Sequence, residues 1–338
     1  MRPVENPPNP WHSVHREWLG PPPPARLEVF EETAKSIVTE NDSPDVGFRF
    51  GVNPYRGCFH GCLYCYARPT HQYLDLGAGT DFERKIIVKV NAPELLEAAF
   101  RKRAWKGDSI ALSGNTDCYQ PLEAHYRLTR GMLEVCRRFR NPVGVITKSV
   151  LVRRDRDVLA DLARIARVRV FFSIPFLDDA MARAIEPSAP APSDRFAAMR
   201  ALHEAGVPVG VMVAPILPGL NDSQIAGVLA RARDCGAQWA GKILLRLPAE
   251  VKDVFVPRLR EAYPDRADKV LNAVREMRQG VLYKSGFGAR MRGEGERWAA
   301  IEAMFDLQVR RLGYRRDDEE GPTTFRRPGA QLGLLDDH

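Results

Sequence analysis

A chain of 338 residues, 44% hydrophobic and 28% charged, has the composition of a globular protein, and its length admits one large α/β barrel or two ordinary domains. No run approaches the ~20 apolar residues of a membrane span, and the opening Met1-Arg2-Pro3-Val4-Glu5-Asn6-Pro7-Pro8 lacks the apolar core of a secretory signal, so a cytoplasmic protein with no membrane partner is expected. The formal charge of +7 favours a polyanion such as DNA or RNA, although arginine far outnumbers lysine and solvated helix faces account for part of the surplus.

Pro7, Pro8, Pro10 and the run Pro21 to Pro24 exclude a helix or a central strand from the first forty residues, so residues 1–44 read as an extended arm on the surface. Short apolar, often β-branched runs then recur at 48–53, 110–112, 143–146, 168–174, 209–214 and 243–247, as expected for strands buried on both faces. Helical periodicity separates them. Leu128, Met132, Val135, Cys136 and Phe139 form one apolar stripe, and Val158, Leu159, Leu162 and Ile165 another. Ser193 is placed to cap a helix running to Gly206, and Asn221 or Asp222 to start one ending at Gly236. Six such βα units predict an α/β fold, a partial (β/α)6 barrel of TIM type over 45–250, in which reacting groups sit on loops at the carboxyl ends of strands. Residues 86–90 read as an added strand before a helix near 93–104. Residues 251–338 read as a helical extension, with loops at Gly286-Phe287-Gly288-Ala289 and Gly293-Glu294-Gly295 and a short tail.

Six cysteines in such a chain do not make a disulfide framework. Cys136 and Cys235 fall in helical patterns and read as small core residues. Cys58, Cys62 and Cys65 instead share one loop, Cys58-Phe59-His60-Gly61-Cys62-Leu63-Tyr64-Cys65, immediately after the first strand. A cubane iron-sulfur cluster held by three thiolates keeps one iron open to another molecule. The alternative is a zinc loop completed by His60 or His71, although structural zinc motifs usually bring two separated ligand pairs.

The C-x3-C-x2-C spacing resembles the signature of the radical S-adenosylmethionine (SAM) enzymes. From Asn53 to about Leu247 the order of segments is most similar to the spore photoproduct lyase-like, DNA-repair-like subgroup: Asn53-Pro54-Tyr55-Arg56-Gly57 before the cluster, Cys65-Tyr66, Ser113-Gly114-Asn115-Thr116-Asp117, Thr147-Lys148 and Phe172-Ser173-Ile174. The resemblance implies a 4Fe-4S cluster on Cys58, Cys62 and Cys65. The open iron would chelate SAM, whose one-electron cleavage gives a deoxyadenosyl radical, with a flavodoxin- or ferredoxin-type donor supplying the electron. Ser113, Gly114 and Asn115 would meet the SAM amino group, Lys148 its carboxylate, and Ser173 the carboxylate or ribose. Glu186 and Arg195 would line the same side, and Ala214, in Val213-Ala214-Pro215-Ile216-Leu217-Pro218-Gly219, an adenine face. Each position also has a plainer reading: a strand-end turn for 113–115, a solvated lysine for Lys148, a surface ion pair for Glu186 and Arg195, and an unliganded turn for 213–219.

In the lyase-like enzymes a cysteine assisted by two tyrosines returns hydrogen to the substrate. Tyr64 and Tyr66 are the nearest tyrosines to the cluster. The position of the donor cysteine, however, aligns with Gly114, and Cys118 is four residues away, within reach of that space only if the loop folds differently. At the other end, Gln331-Leu332-Gly333-Leu334-Leu335 resembles the peptide by which bacterial repair proteins dock into the sliding clamp. Three functions are therefore open: a radical SAM enzyme acting on a nucleic-acid base, one modifying a peptide or metabolite, and a non-enzymatic metal-stabilised DNA-binding module. Base chemistry requires a positively charged mouth, for which Arg101, Arg103, Arg137, Arg138, Arg153 and Arg154 are candidates.

Overall fold

The computed structural model describes residues 2–13, 18–316 and 321–329; the clamp-like segment 331–335 lies outside them. In chain order, the arm carries strands β1 (Glu28–Glu32) and β2 (Val38–Glu40), and β3 (Phe50–Val52) opens the core. The short β4 (Tyr55–Arg56), α1 (Thr80–Arg84), β5 (Lys85–Lys89) and α2 (Ala92–Arg101) follow. Next come β6 (Ile110–Leu112), α3 (Glu123–Tyr126), α4 (Leu128–Phe139), β7 (Val143–Thr147), α5 (Arg156–Ala163) and β8 (Val168–Ser173). Helices α6 (Asp179–Ile185) and α7 (Pro192–Glu204) precede β9 (Val209–Ile216), and α8 (Ile225–Asp234) precedes β10 (Trp239–Leu244). Helices α9 (Val251–Ala262), α10 (Ala267–Glu276) and α11 (Gly295–Arg311) complete the described elements.

The main sheet runs β10-β9-β8-β7-β6-β3-β2, parallel from β3 to β10, with β2 antiparallel at its edge. Parallel neighbours in sequence order, with helices crossing between them, require both faces of the sheet to be covered. Val145, Val170, Phe172, Val211 and Val213 are accordingly buried among Leu133, Phe139, Leu162 and Leu202 of the helix layer. β10 pairs with β9 and β2 with β3, and the two ends of the sheet are not paired to each other, so the (β/α)6 barrel is partial. Cys136 and Cys235 lie in this core, as expected.

Three expectations are corrected. The last strand lies at Trp239–Leu244 rather than 243–247. Gly241 disguises it: packed beside the Met212 thioether of β9, it reads in sequence as a break. The arm is not merely an overlay, because β2 edges the main sheet and β1 pairs in parallel with β5, itself antiparallel to β4, in a second sheet. Ser193 does not cap α7. Pro192 occupies its first turn, and the Ser193 N–H and hydroxyl both donate to the Asp179 carboxylate. As expected, a helical turn over Asp222–Gln224 begins after Asn221 and leads into α8, and the Asn221 side chain accepts from the Leu217 N–H at 2.7 Å and donates to the Pro175 carbonyl at 2.7 Å, joining the exits of β8 and β9.

Candidate active site

The cysteine loop leaves β4 at the carboxyl edge of the sheet. Gly57 turns the chain with φ +78°, and a Cβ there would lie 2.9 Å from His71 Cε1 and 3.0 Å from the Phe82 carbonyl oxygen. The Cys58 N–H donates to that same carbonyl at 2.9 Å, and the Leu63 N–H to the Ile185 carbonyl at 3.0 Å. Behind the loop, Arg68 is fully buried. Its Nη2 donates to the Cys62 carbonyl at 2.8 Å and its Nη1 to the Gly79 carbonyl at 2.9 Å. Glu83 neutralises it with Oε1 2.6 Å from Nη2, and Arg258 shares that oxygen. Leu63 and Tyr64 then pack against Val251, Phe255, Val270 and Val274 of α9 and α10. The C-terminal helices thus cap the loop.

Cys58 and Cys62 are buried, Cys65 is half-buried, and all three are free thiols. Burial pushes the Cys58 thiol up to about 12 and raises Cys62 and Cys65 as well, with Lys148 opposing the rise at the latter two. Thiolates in such a place need a bound cation, which a metal centre supplies. Among the described residues no three Cys, His, Asp or Glu side chains gather around a single ion. A cluster of several irons, each taking its own thiolate, needs no such convergence. Of the two histidines of the zinc reading, His71 Nε2 lies 2.8 Å from the Lys85 carbonyl oxygen while its Nδ1 is buried without a partner, and His60 Nδ1 lies 3.4 Å from Asp117 Oδ2. Three free thiols on one short loop fit an iron-sulfur cluster.

Facing the loop, the exit of β6 turns at Ser113 with φ +70°. The Ser113 hydroxyl accepts from the Cys118 N–H at 2.7 Å, and the Gly114 carbonyl accepts from the Tyr66 hydroxyl at 2.7 Å, while Asn115 is exposed. Asp117 is the hub of this edge and carried no expected role. It accepts from the Thr147 hydroxyl at 2.7 Å, the Lys148 N–H at 2.8 Å and the Tyr119 N–H at 2.9 Å. Gln120 works beside it, accepting from the Phe59 N–H at 3.0 Å and donating to the Gly57 carbonyl at 3.1 Å. No spacing in the sequence links these side chains to the cysteines.

At the next exits, Glu186 and Arg195 are both fully buried and paired to each other, so they are not a surface ion pair. The other Glu186 oxygen accepts from the Tyr64 hydroxyl and lies 3.9 Å from Lys148 Nζ. Burial alone would raise the Glu186 carboxyl, but Arg195, Lys148 and Tyr64 hold it below the ordinary glutamate value. Arg195 also donates to the Ser173 carbonyl at 2.9 Å, tying β8 to the group. Lys148 keeps a partly open face, 5.7 Å from the Tyr64 ring centroid. The structure thus joins Ser113, Gly114, Lys148, Ser173, Glu186, Arg195, Tyr64 and Tyr66 to one carboxyl edge. Ala214 lies near the end of β9 and is half-buried.

Cys118 is fully buried in the main core, where the Ser113 hydroxyl accepts from its N–H, the Thr129 hydroxyl donates to its carbonyl, and its thiol lies beside the same two hydroxyls. The expected basic rim is corrected at four of its six arginines, while Arg103 and Arg153 are exposed. Arg101 and Arg138 are bound to Glu97, Arg137 to Asp161, and Arg154 to Glu123 and Asp155. These cations serve the helix layer rather than the mouth.

Residues 52–232 match the Radical SAM superfamily. An uncharacterised protein of Mycobacterium tuberculosis is 36% identical over 266 residues, covering 77% of this chain and 75% of its own. One of Methanocaldococcus jannaschii is 29% identical over 198 residues, 59% of this chain and 71% of its own. Among solved structures, spore photoproduct lyase complexed with dinucleoside spore photoproduct has the same fold, with a TM-score of 0.61 at 18% identity, covering 85% of this chain and 80% of that one. The same protein with bound AdoMet gives a TM-score of 0.59 over the same shares. The family match spans the strand exits and the cysteine loop together, it replaces the non-enzymatic reading, and the chain belongs to the radical SAM superfamily of enzymes.

Proposed function

We propose that this protein is a radical SAM enzyme that abstracts hydrogen from a nucleic-acid base. The observation that carries the reading is a loop of three free thiols at the carboxyl edge of a parallel barrel, with a half-open lysine beside it. Cys58, Cys62 and Cys65 would hold a 4Fe-4S cluster. Such a cluster would supply the one-electron reduction that cleaves SAM to a radical able to take hydrogen from a substrate.

The chain's own residues set the geometry for that step. Lys148, with Glu186 and Arg195 fixing its charge environment, offers a cation to the SAM carboxylate, and the 113–115 turn offers backbone groups to the SAM amino group. Ser173 supports the carboxylate or ribose from β8. Arg68 and Gln120 hold the loop carbonyls and amides so that the thiols keep their places. Tyr66, 43% exposed beside Cys65, is the tyrosine available to a substrate, since the Tyr64 hydroxyl is spent on Glu186.

The surplus of 50 Lys and Arg over 43 Asp and Glu, and the fold shared with a lyase crystallised with a dinucleoside lesion, support a nucleic-acid substrate. The engagement of the outer arginines with acids favours, as a second reading, a smaller peptide or metabolite. A flavodoxin- or ferredoxin-type donor, a sliding-clamp partner for 331–335 and a cytoplasmic setting belong to the same proposal. Anaerobic reconstitution with iron and sulfide, then dithionite and SAM, tests it. Deoxyadenosine is expected from the wild type and not from Cys58→Ser, and deuterium is expected to pass from a labelled oligonucleotide into it. No deoxyadenosine overturns the enzyme reading; deoxyadenosine without deuterium from any DNA or RNA overturns the substrate class.

A further inference from the structure

Just past β10, Arg246 turns toward the cysteine loop. Its guanidinium carbon lies 5.0 Å from the centroid of Tyr66, and the Tyr66 hydroxyl reaches across to the Gly114 carbonyl at 2.7 Å. Cation and ring therefore stand together in the barrel mouth, between the exits of β10 and β6. Among the described residues, the one polar contact of Arg246 is Nη1 to the thioether of Met291 at 3.4 Å, and its Nε is buried with no partner. A thioether is a weak acceptor.

The other arginines around the site are used differently. Arg68 and Arg195 each have a carboxylate and several carbonyls. Arg290 takes Asp45, with Nε 2.5 Å from Oδ2, and the other Asp45 oxygen accepts from the Gly288 N–H at 2.6 Å. Asp45 lies within electrostatic reach of Arg246, and each of its two oxygens already accepts a hydrogen bond. A half-buried guanidinium with no oxygen acceptor is poised for an incoming oxyanion, which its planar fork binds in bidentate fashion. The exposed part of the Tyr66 ring beside it suits a flat or sugar-bearing neighbour of that anion.

We propose that Arg246 is the phosphate contact of the substrate: its guanidinium binds the non-bridging oxygens of the phosphate flanking the base admitted to the mouth, with Tyr66 as the adjoining platform. This rests on the nucleic-acid reading above. Arg246 is here a specificity residue and not a catalytic one.

The test is fluorescence anisotropy of a labelled single-stranded oligonucleotide with the full-length reconstituted protein, over a series of KCl concentrations. Arg246→Gln is expected to weaken binding roughly tenfold and to reduce the slope of log affinity against log salt by about 0.7, one phosphate's share on a single strand. Arg246→Lys is expected to keep most of the slope and lose much of the affinity, because it keeps the charge without the fork. An oligonucleotide with neutral methylphosphonates should bind the wild type poorly and Arg246→Gln no worse. Arg137→Gln, on the ion-paired outer face of α4, should match the wild type, and the unfolding midpoint of each variant reports folding. If the wild type binds and Arg246→Gln binds equally with the same slope, the phosphate assignment falls and the nucleic-acid reading stands. If the wild type binds no oligonucleotide, or binds an acidic peptide through Arg246 instead, both fall.

Discussion

Arg68 and Glu83 form a buried ion pair directly behind the cysteine loop, and through it one glutamate balances two buried guanidinium groups, because Arg258 shares the same oxygen. Removing one member of a buried pair leaves an uncompensated charge, a loss of roughly 3–5 kcal/mol. Glu83→Gln is therefore expected to lower stability by about that amount in urea denaturation. Because Arg68 also holds the Cys62 carbonyl, the variant should retain less iron per chain after reconstitution. A variant as stable and as iron-loaded as the wild type would contradict this account of how the loop is held.

The second prediction concerns Cys118, four residues from the position at which the resemblance would set a hydrogen donor. Cys118 is fully buried in the main core, so Cys118→Ala should cost on the order of 1 kcal/mol, as for any small core truncation. It should leave iron content and deoxyadenosine yield at wild-type levels. A hydrogen donor would behave otherwise: product would fall while deoxyadenosine formation continued, and that split would return Cys118 to the site.

The barrel was legible because five of its six strands read as short apolar runs, whereas β10, only half-buried over 240–243, did not. The cysteine loop was legible because its ligands are local in sequence. What escaped was nonlocal. Asp117, Gln120 and Arg68 bind backbone groups, and Glu83 two guanidinium groups, that only the fold brings near, and no periodicity marks a carboxylate that accepts from the N–H of Lys148. The pairing of β1 with β5 escaped for the same reason, since an exposed edge strand such as Glu28–Glu32 lacks the apolar signal of a buried one. The arginines misled in the opposite sense. Sequence shows charge but not partners, and Glu97 alone takes both Arg101 and Arg138.

A third prediction follows from Asp45, which joins the 41–48 loop to residues 288–290 across the open side of the barrel. Burial pushes its carboxyl up, but the Gly288 N–H and the Arg290 guanidinium more than offset this, and it sits below its ordinary value of 3.8. A depressed carboxyl contributes fully above its unfolded value, and the contribution is lost as pH falls through the folded one. The clasp should thus hold throughout neutral and mildly acidic solution and open only below about 3.8. In hydrogen exchange at neutral pH, Asp45→Asn should speed exchange of the Gly288 amide relative to wild type. Equal exchange in the two proteins would show that the clasp does not order this loop.

The two tyrosines beside Cys65 should separate by what their hydroxyls hold. Tyr64 donates to the buried, charged Glu186, and burial together with that charge keeps its phenol protonated far above the ordinary range. Losing a hydrogen bond to a charged group costs roughly 1.5–3 kcal/mol, and Glu186 would keep Arg195 and Lys148. Tyr64→Phe is therefore expected to destabilise by that amount. Tyr66 donates to a carbonyl at the exposed mouth, where water replaces the lost partner, so Tyr66→Phe should cost under about 1 kcal/mol. Its effect should appear instead in the ratio of substrate converted to deoxyadenosine formed, because its ring and hydroxyl border the space a substrate enters. Urea denaturation and that ratio, measured for both variants, decide the matter. Equal stability losses would mean that Tyr66 is as much a structural residue as Tyr64, and an unchanged ratio would remove it from the substrate's path.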